Sequence, residues 1–526
     1  MKRAKRFASL LLALMMVFAM MTTAFAAIVN NTSGHTYDAY QIFKGTQSTD
    51  SAALGDVTWG SGINSTGFLA ALKEDTRFVK EETNIFTACN TAADVAAVLG
   101  GYGDKSDVAM AFANVAAQYR TAIKTVIGTE VTLEAGYYLL VDTTDVSGGS
   151  DARNTALLQV TNKSDITIEK KYDVPTVDKS VTDSDGTKGE AADYTIGSDV
   201  PFTLTGTLPT NYADYETYKY VFHDTLSAAL KLNGTFDETD ATKVLSGVTV
   251  KVGDTDITSH FTITYSNNEL TVACDNLKAI SGLTKDSKIV VEYNAELLAT
   301  AEIGQPGNSN KVKLEYSNDP NATGNGTTGN TPEDEVLVFT YELDVTKVDG
   351  QAIGTKLKDA EFVLMNSDKT KAAKVANGKF VEWVDKDTIP KGTDGTYPEA
   401  YTLKSDANGL FALAGLDAGT YYLKETKAPA GYNLLEKEIE IVISATLDKS
   451  ENNPALTALT ISVDGGEAEN GNLSTGVVAT TVKNNTGATL PETGGMGTTI
   501  FYILGGFLAI GAAVLLITKK RMKAER

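Results

Sequence analysis

The stretch "YYLKETKAPAGY", Tyr421–Tyr432, decides how this 526-residue chain is read. As a β-strand its start alternates, with Tyr421, Leu423 and Glu425 on one face and Tyr422, Lys424 and Thr426 on the other. The first face carries an aromatic ring and a leucine, so it is expected to point into a core. Glu425 goes in with them. An ionised carboxylate in a core is costly unless it is paired or neutralised. The stretch therefore predicts a β-sandwich that has a use for one buried acid.

Two other strands repeat the pattern. In "YELDVTKVD", Tyr341, Leu343, Val345 and Lys347 share a face, and in "VVATTVKNN", Val478, Thr480, Val482 and Asn484 share one. The alternation turns a lysine, an asparagine and a glutamate toward one apolar interior. A single buried polar residue is ordinarily a hydrogen-bonded core residue; three on the first, a late and the last strand of one segment call for chemistry. Burial disfavours the charged amine, which makes Lys347 a nucleophile. A carboxyl group beside it is expected to stay neutral and to donate a hydrogen bond to the Asn484 side-chain carbonyl. Ammonia leaves, and an Nε-amide joins the two strands. Contact between the three groups supplies the effective molarity.

The chain ends set the compartment. "MKRAKRFASLLLALMMVFAMMTTAFAA" has four basic residues, an apolar run and the small-x-small site Ala24-Phe25-Ala26, the layout of a secretory signal peptide. At the other end, Ile500 to Ile517 is uncharged and long enough to span a bilayer. Lys519, Lys520, Arg521 and Lys523 follow and are expected to hold that end in the cytoplasm. Just before the span stands Leu490-Pro491-Glu492-Thr493-Gly494.

Net charge is −21, and without leader and tail the chain is more acidic still. This argues against nucleic acid or an anionic membrane surface as a partner. The two cysteines, Cys89 and Cys274, lie far apart and form no disulfide framework. With three histidines and no clustered His/Cys pattern, no metal site and no cofactor is expected.

Short Val-, Thr-, Tyr- and Ile-rich segments broken by Gly, Asn and Asp give a mainly β fold class, read as tandem sandwiches. The first third adds a helical insertion. In "SDVAMAFANVAAQY", Val108, Phe112, Val115 and Tyr119 fall at helical spacing behind Ser106 as N-cap, and "TAADVAAVLGG" also reads as helix. The expected organisation is a signal peptide (1–26), a first domain (27–172), a second (173–340), a third (341–486), and the terminal signal with its transmembrane helix and basic tail (487–526). The polar stretch "NDPNATGNGTTGNTPEDE" is read as a hairpin loop between two strands of the second domain, not as a linker.

"YYLKETKAPAGY" resembles the E-box of Gram-positive pilin subunits, and the pentapeptide, span and basic tail resemble a sortase cell-wall sorting signal. The resemblance runs from the "GHTYDAYQIFKG" opening to that signal and is to the major, backbone subunits of sortase-assembled pili. It implies Ig-like collagen-adhesin A-type and B-type domains in tandem, with Lys347, Glu425 and Asn484 as the isopeptide triad of the B-type domain. It implies that a sortase cysteine attacks the Thr493 carbonyl and releases the chain from Gly494 onward. Implied partners are a pilin-class sortase, a housekeeping sortase, other copies of the chain, minor pilins and a peptidoglycan precursor, with host matrix or cells as further candidates. The chain is then a secreted, wall-anchored pilus subunit and not an enzyme. A wall-anchored adhesin or a pilus-tip protein is the alternative.

In the second domain, "TVDKSV" puts Val177, Lys179 and Val181 on one face, and "YKYVFHDTL" puts Tyr218, Tyr220, Phe222 and Asp224 on one. "NSNKVKLEYSND" aligns Asn308, Asn310, Val312, Leu314, Tyr316 and Asn318. By resemblance to A-type pilin domains, Lys179 is the nucleophile and Asp224 the acid. Strand parity does not choose the asparagine; Asn318 or Asn308 is favoured. The lysine that joins subunits is aligned, within "IEKKYDVPTVDK", to Lys171, with Lys170 as the alternative; the tyrosine and proline of the family's pilin motif are absent there.

Overall fold

A computed structural model of the chain describes residues 26–47, 53–103, 106–161, 165–169, 173–320, 322, 326–393, 395–451, 453–487 and 496–524. Residues 1–25 of the stretch read as a signal peptide (1–26), Lys170, Lys171 and the pentapeptide Leu490–Gly494 lie outside the described residues.

The first body holds two sheets. In one, Ala26–Asn31 pairs antiparallel with Glu130–Glu134 and parallel with Ile166–Ile168, Val29 standing opposite Ile166. In the other, Tyr37–Gln47 lies between Leu54–Trp59 and Gly136–Asp142. The helical insertion is Ser65–Glu74, Ala92–Leu99 and Asp107–Gln118. Ser106 caps the third helix as read, its side chain accepting from the Ala109 N–H. Val108, Phe112 and Val115 bury one face of that helix in a core shared with Phe43, Phe68 and Phe86. The first helix lies in a stretch that the sequence reading left unassigned.

The second body is a sandwich. One sheet runs from Val177–Thr182 through Asp199–Gly206 and Ile289–Leu297 to Val248–Val252; the facing sheet contains Asp334–Phe339, Asn308–Ser317, Tyr220–Leu226 and Glu269–Cys274. Asn308–Ser317 and Asp334–Phe339 pair antiparallel, Asn310 opposite Val336, so the polar stretch between them is a hairpin connection. Tyr220, Phe222, Leu314 and Val338 fill the core with Phe202 and Tyr293 of the other sheet.

The third body begins one residue after Phe339. Its first strand, Tyr341–Asp349, pairs parallel with its last, Val477–Asn484, and antiparallel with Leu410–Leu416. Glu361–Met365 and Gly419–Lys427 pair antiparallel further along the sheet, Phe362 opposite Glu425. A helix, Met496–Ala524, follows; its segment Phe501–Lys520 is long and apolar enough to cross a membrane.

Backbone hydrogen bonds join the bodies. Ile196 N–H donates to Gly415 O at 3.0 Å and Gln305 N–H to Leu473 O at 3.0 Å. Gly304 (φ +73°) and Gly476 (φ +66°) pass so closely that a Cβ on Gly304 would lie 2.1 Å from Gly476 N. Both the left-handed backbone and the approach demand glycine there.

The same junction buries acid against acid. Asp193, at the end of the strand Ala191–Asp193, meets Asp417 from the turn after Leu410–Leu416, with Tyr341 and Ser184 close by. Asp183 lies beside them and takes an ion pair from Lys449 Nζ at 2.6 Å. Burial, then the Asp193 charge, pushes the Asp417 carboxyl up to about 9. The folded state therefore keeps a proton that the unfolded chain loses near the ordinary aspartate value. The stability tied to this group is complete below that value and is lost as pH rises through about 9. Calorimetric melting between about pH 5 and about pH 9 is expected to show Tm of the second and third bodies falling as pH rises. Asp417→Asn, which cannot ionise, is expected to flatten that slope and raise Tm at the alkaline end. An equally steep slope in the variant would place the titration elsewhere.

Candidate functional site

Each sandwich carries one sealed cluster of lysine, carboxyl and carboxamide. In the third body, the parallel pairing sets Lys347 opposite Val482 and Asp349 opposite Asn484. Both strands turn their even-spaced residues inward, so the Lys347 and Asn484 side chains converge in the core. Lys347 and Asn484 are 0% exposed and Glu425 is 2% exposed. Lys347 Nζ donates to the Asn484 Oδ1 carbonyl in a very short contact and to Val482 O at 3.3 Å. Glu425 Oε1 stands 3.7 Å from Nζ. Asn484 Nδ2 donates to Glu425 Oε2 at 2.9 Å and to Asn433 O at 2.7 Å. Leu435 N–H donates to the same Oε2 at 2.8 Å and so orients the carboxyl group.

This corrects one detail of the sequence reading. Glu425 was expected to face the Asn484 carbonyl; it faces the amide nitrogen instead. The carbonyl points along the strand pair toward Lys347, which leaves the NH₂ for Glu425 and Asn433. Burial lowers the Lys347 amine to about 8, against the opposing pull of Glu425.

In the second body the cluster bridges the two sheets. Lys179 comes from one, Asp224 from the other, and both are 0% exposed. Lys179 Nζ donates to Asp224 Oδ1 at 2.6 Å and to the Tyr293 hydroxyl at 3.2 Å. The Tyr293 hydroxyl donates to Asp224 Oδ2 and accepts from Asn310 Nδ2 at 2.7 Å. Burial lowers the Lys179 amine, and Asp224 opposes the shift. Burial raises the Asp224 carboxyl, and Lys179 opposes that shift.

The amide within reach is thus that of Asn310, not Asn318 or Asn308. Asn308 accepts from Glu302 N–H at 2.9 Å and donates to Val338 O at 3.0 Å, which pins the entry of its strand. Asn318 reaches the other way, donating to Val146 O at 2.7 Å and Asp151 O at 3.1 Å in the first body. There Arg153 pairs with Asp319 at 2.7 Å, and Gly148 N–H donates to Thr328 O at 2.8 Å. All three asparagines share the inward face, so alternation could not separate them. Distance along the strand does, because Leu226, two residues beyond Asp224, is paired with Asn310. Tyr293 gave no sequence signal: on its strand it reads as one more inward aromatic residue.

Three family models match the chain: a Gram-positive pilin backbone subunit 2, Cna-B-like domain over residues 196–320, a prealbumin-like fold domain over 341–454, and an LPXTG cell wall anchor motif over 482–524. The chain is 25% identical over 422 residues to the trypsin-resistant surface T6 protein of Streptococcus pyogenes serotype M6, covering 67% of this chain and 70% of that one. It is 25% identical over 432 residues to fimbrial subunit type 1 of Actinomyces viscosus, covering 75% and 74%.

The chain belongs to the sortase-assembled backbone pilins of Gram-positive bacteria.

The solved T6 backbone pilin of S. pyogenes aligns over 88% of this pilin and 98% of its own chain, with 16% identity and a TM-score of 0.47. The pilin is a structural subunit of a pilus shaft, built of tandem Ig-like β-domains, and it is anchored to the cell wall through its LPXTG motif after transient membrane anchoring by the C-terminal apolar helix.

Asn318 is thereby a latch between the first two bodies. Asn318→Ala is expected to remove the side-chain donor that reaches the carbonyls of Val146 and Asp151 and to weaken that docking by about 1–3 kcal/mol. Limited proteolysis should then cut the 143–153 loop faster, while the intact mass, corrected for the substitution, stays that of the parent. A changed mass deficit would return Asn318 to the bonding chemistry.

Proposed function

We propose that this pilin closes two internal Lys–Asn amide bonds, Lys347–Asn484 and Lys179–Asn310, and is then joined head to tail by sortases into the shaft. The observation that carries the reading is the third-domain cluster: a dry amine on the carbonyl oxygen of a carboxamide whose nitrogen rests on a carboxyl group. The Lys347 ammonium gives a proton to Glu425. The neutral amine attacks Asn484 Cγ, forming the Nζ–Cγ bond. Glu425 returns the proton to Nδ2, the Cγ–Nδ2 bond breaks, ammonia leaves, and the new amide nitrogen sheds its extra proton to the Glu425 carboxylate, which ends protonated. The groups act once, on their own chain, so the pilin is a substrate of its fold and of sortase rather than an enzyme with turnover. Each bond closes a loop of well over a hundred residues, worth about 5 kcal/mol in the chain-entropy account of cross-links.

Intact-mass spectrometry of the wall-released subunit is expected to show a deficit of two ammonias. Glu425→Ala is expected to show one and to lose the cross-linked tryptic peptide containing Lys347 and Asn484, with a lower melting temperature. An unmodified mass in the parent would sink the amide chemistry. The cross-link surviving in Glu425→Ala would remove the carboxyl group from it.

In assembly, a pilin-class sortase cleaves after Thr493 and transfers the acyl group to Lys171 of the next copy. Minor pilins extend the set of partners, and a housekeeping sortase transfers the last subunit to a peptidoglycan precursor. Thr167 and Glu169, which match Lys171 in strand parity, are exposed, in support of an outward amine there. Immunoblots of wall extracts are expected to show monomer alone for Lys171→Ala and a ladder for Lys170→Ala. The reverse result moves the linkage by one residue, and ladders in both place it elsewhere.

A further inference from the structure

The two clusters handle the same proton problem with different parts. In the third domain the carboxyl group touches the departing nitrogen directly, Glu425 Oε2 to Asn484 Nδ2 at 2.9 Å. In the second domain the hydroxyl of Tyr293 stands between them. It takes a hydrogen bond from Asn310 Nδ2 at 2.7 Å, gives one to Asp224 Oδ2, and lies 3.2 Å from Lys179 Nζ. Lys179, Asp224 and Asn310 are 0% exposed and Tyr293 is 3% exposed, so no solvent path serves the transfer. Asn310 Oδ1 is buried without a partner, which leaves that carbonyl uncommitted. Burial and the Asp224 charge hold the Tyr293 hydroxyl far above the ordinary tyrosine range, so it stays a hydroxyl that can pass one proton on only by accepting another.

We propose that Tyr293 is a catalytic residue of second-domain amide formation, its hydroxyl relaying a proton from Asp224 to the Asn310 nitrogen that leaves as ammonia. This rests on the reading that Lys179 and Asn310 become bonded. The Lys179 ammonium first gives a proton to Asp224 Oδ1, 2.6 Å away. The amine attacks Asn310 Cγ and the Nζ–Cγ bond forms. The protonated Asp224 then donates to the Tyr293 oxygen while the Tyr293 proton moves to Nδ2. The Cγ–Nδ2 bond breaks and neutral ammonia departs. The new amide nitrogen sheds its extra proton to Asp224, which ends protonated. Of the two protons lost by Lys179, one leaves in ammonia and one remains on the acid. No oxidant or co-reactant is needed.

The ring has a separate task. It stacks on Phe202 with centroids 5.4 Å apart, and Lys179 Nζ lies 5.3 Å and 5.6 Å from the two ring centroids. Tyr293→Phe keeps that shelf and removes only the oxygen.

The test follows the full chain made by cell-free synthesis, sampled over time and digested with trypsin, with both cross-linked peptides quantified by mass spectrometry. In Tyr293→Phe the Lys179–Asn310 peptide is expected to appear at least about 100-fold more slowly, while the Lys347–Asn484 peptide, an internal control for folding, appears at the parental rate. A 3-fluorotyrosine at 293, more acidic and nearly the same shape, is expected to shift the rate of the first bond alone; a merely structural hydroxyl would not respond to acidity. Parental rates of both bonds in Tyr293→Phe, or no response to fluorination, overturn the relay and leave the bond standing. A parental chain without the Lys179–Asn310 peptide overturns the bond itself and the relay with it.

Discussion

Lys347 holds its fully buried amine against the Asn484 carbonyl with a carboxyl group 3.7 Å away. A charged lysine in that place is expensive, and pairing it with one acid repays the desolvation only with good geometry. Both sandwiches arrange their strands so that the cost has an outlet. On the proposed chemistry the amine would give up its proton to the neighbouring carboxyl group, and the reactive form would then face the carboxamide beside it. A polar cluster that would weaken an ordinary core would become the place where the fold locks itself.

The two clusters differ in what they tie together. Lys347 and Asn484 lie on the first and last strands of the third domain, which run parallel side by side. An amide there would carry tension from the entry of the domain to its exit without loading the hydrogen bonds between. Lys179 and Asn310 lie on opposite sheets of the second domain, so an amide there would hold the sandwich faces together. The joints between bodies are built to match. Asn318 and Arg153 hold the first body to the second, and the Gly304–Gly476 approach brings the second and third into backbone contact. A shaft under load needs stiff joints as well as stiff domains, and both junctions include hydrogen-bonded backbone.

The acid cluster at the second joint works on a different principle. Asp193 and Asp417 meet with Lys449 as the nearby cation among the described residues, and it is engaged with Asp183. The pair is tolerable while one carboxyl group keeps its proton. Unlike the lysine clusters, it has no carboxamide to react with, so it remains a titratable contact.

Alternation along single strands was enough to send Lys347, Glu425, Asn484, Lys179 and Asp224 into cores, because a strand has only two faces and the flanking apolar residues choose one. Hydropathy was enough for the C-terminal apolar helix, and the short Val-, Thr-, Tyr- and Ile-rich segments for the mainly β class. The choice among Asn308, Asn310 and Asn318 was beyond the sequence. Residues two apart share a face, and only the pairing of one sheet against the other decides which amide arrives at the lysine. The same holds for Tyr293, indistinguishable along its strand from a core aromatic until Asp224 and Asn310 close around its hydroxyl. Which face a residue takes is a property of its own strand; which groups meet across the core is a property of register and sheet packing, and those arise only when the whole chain has folded.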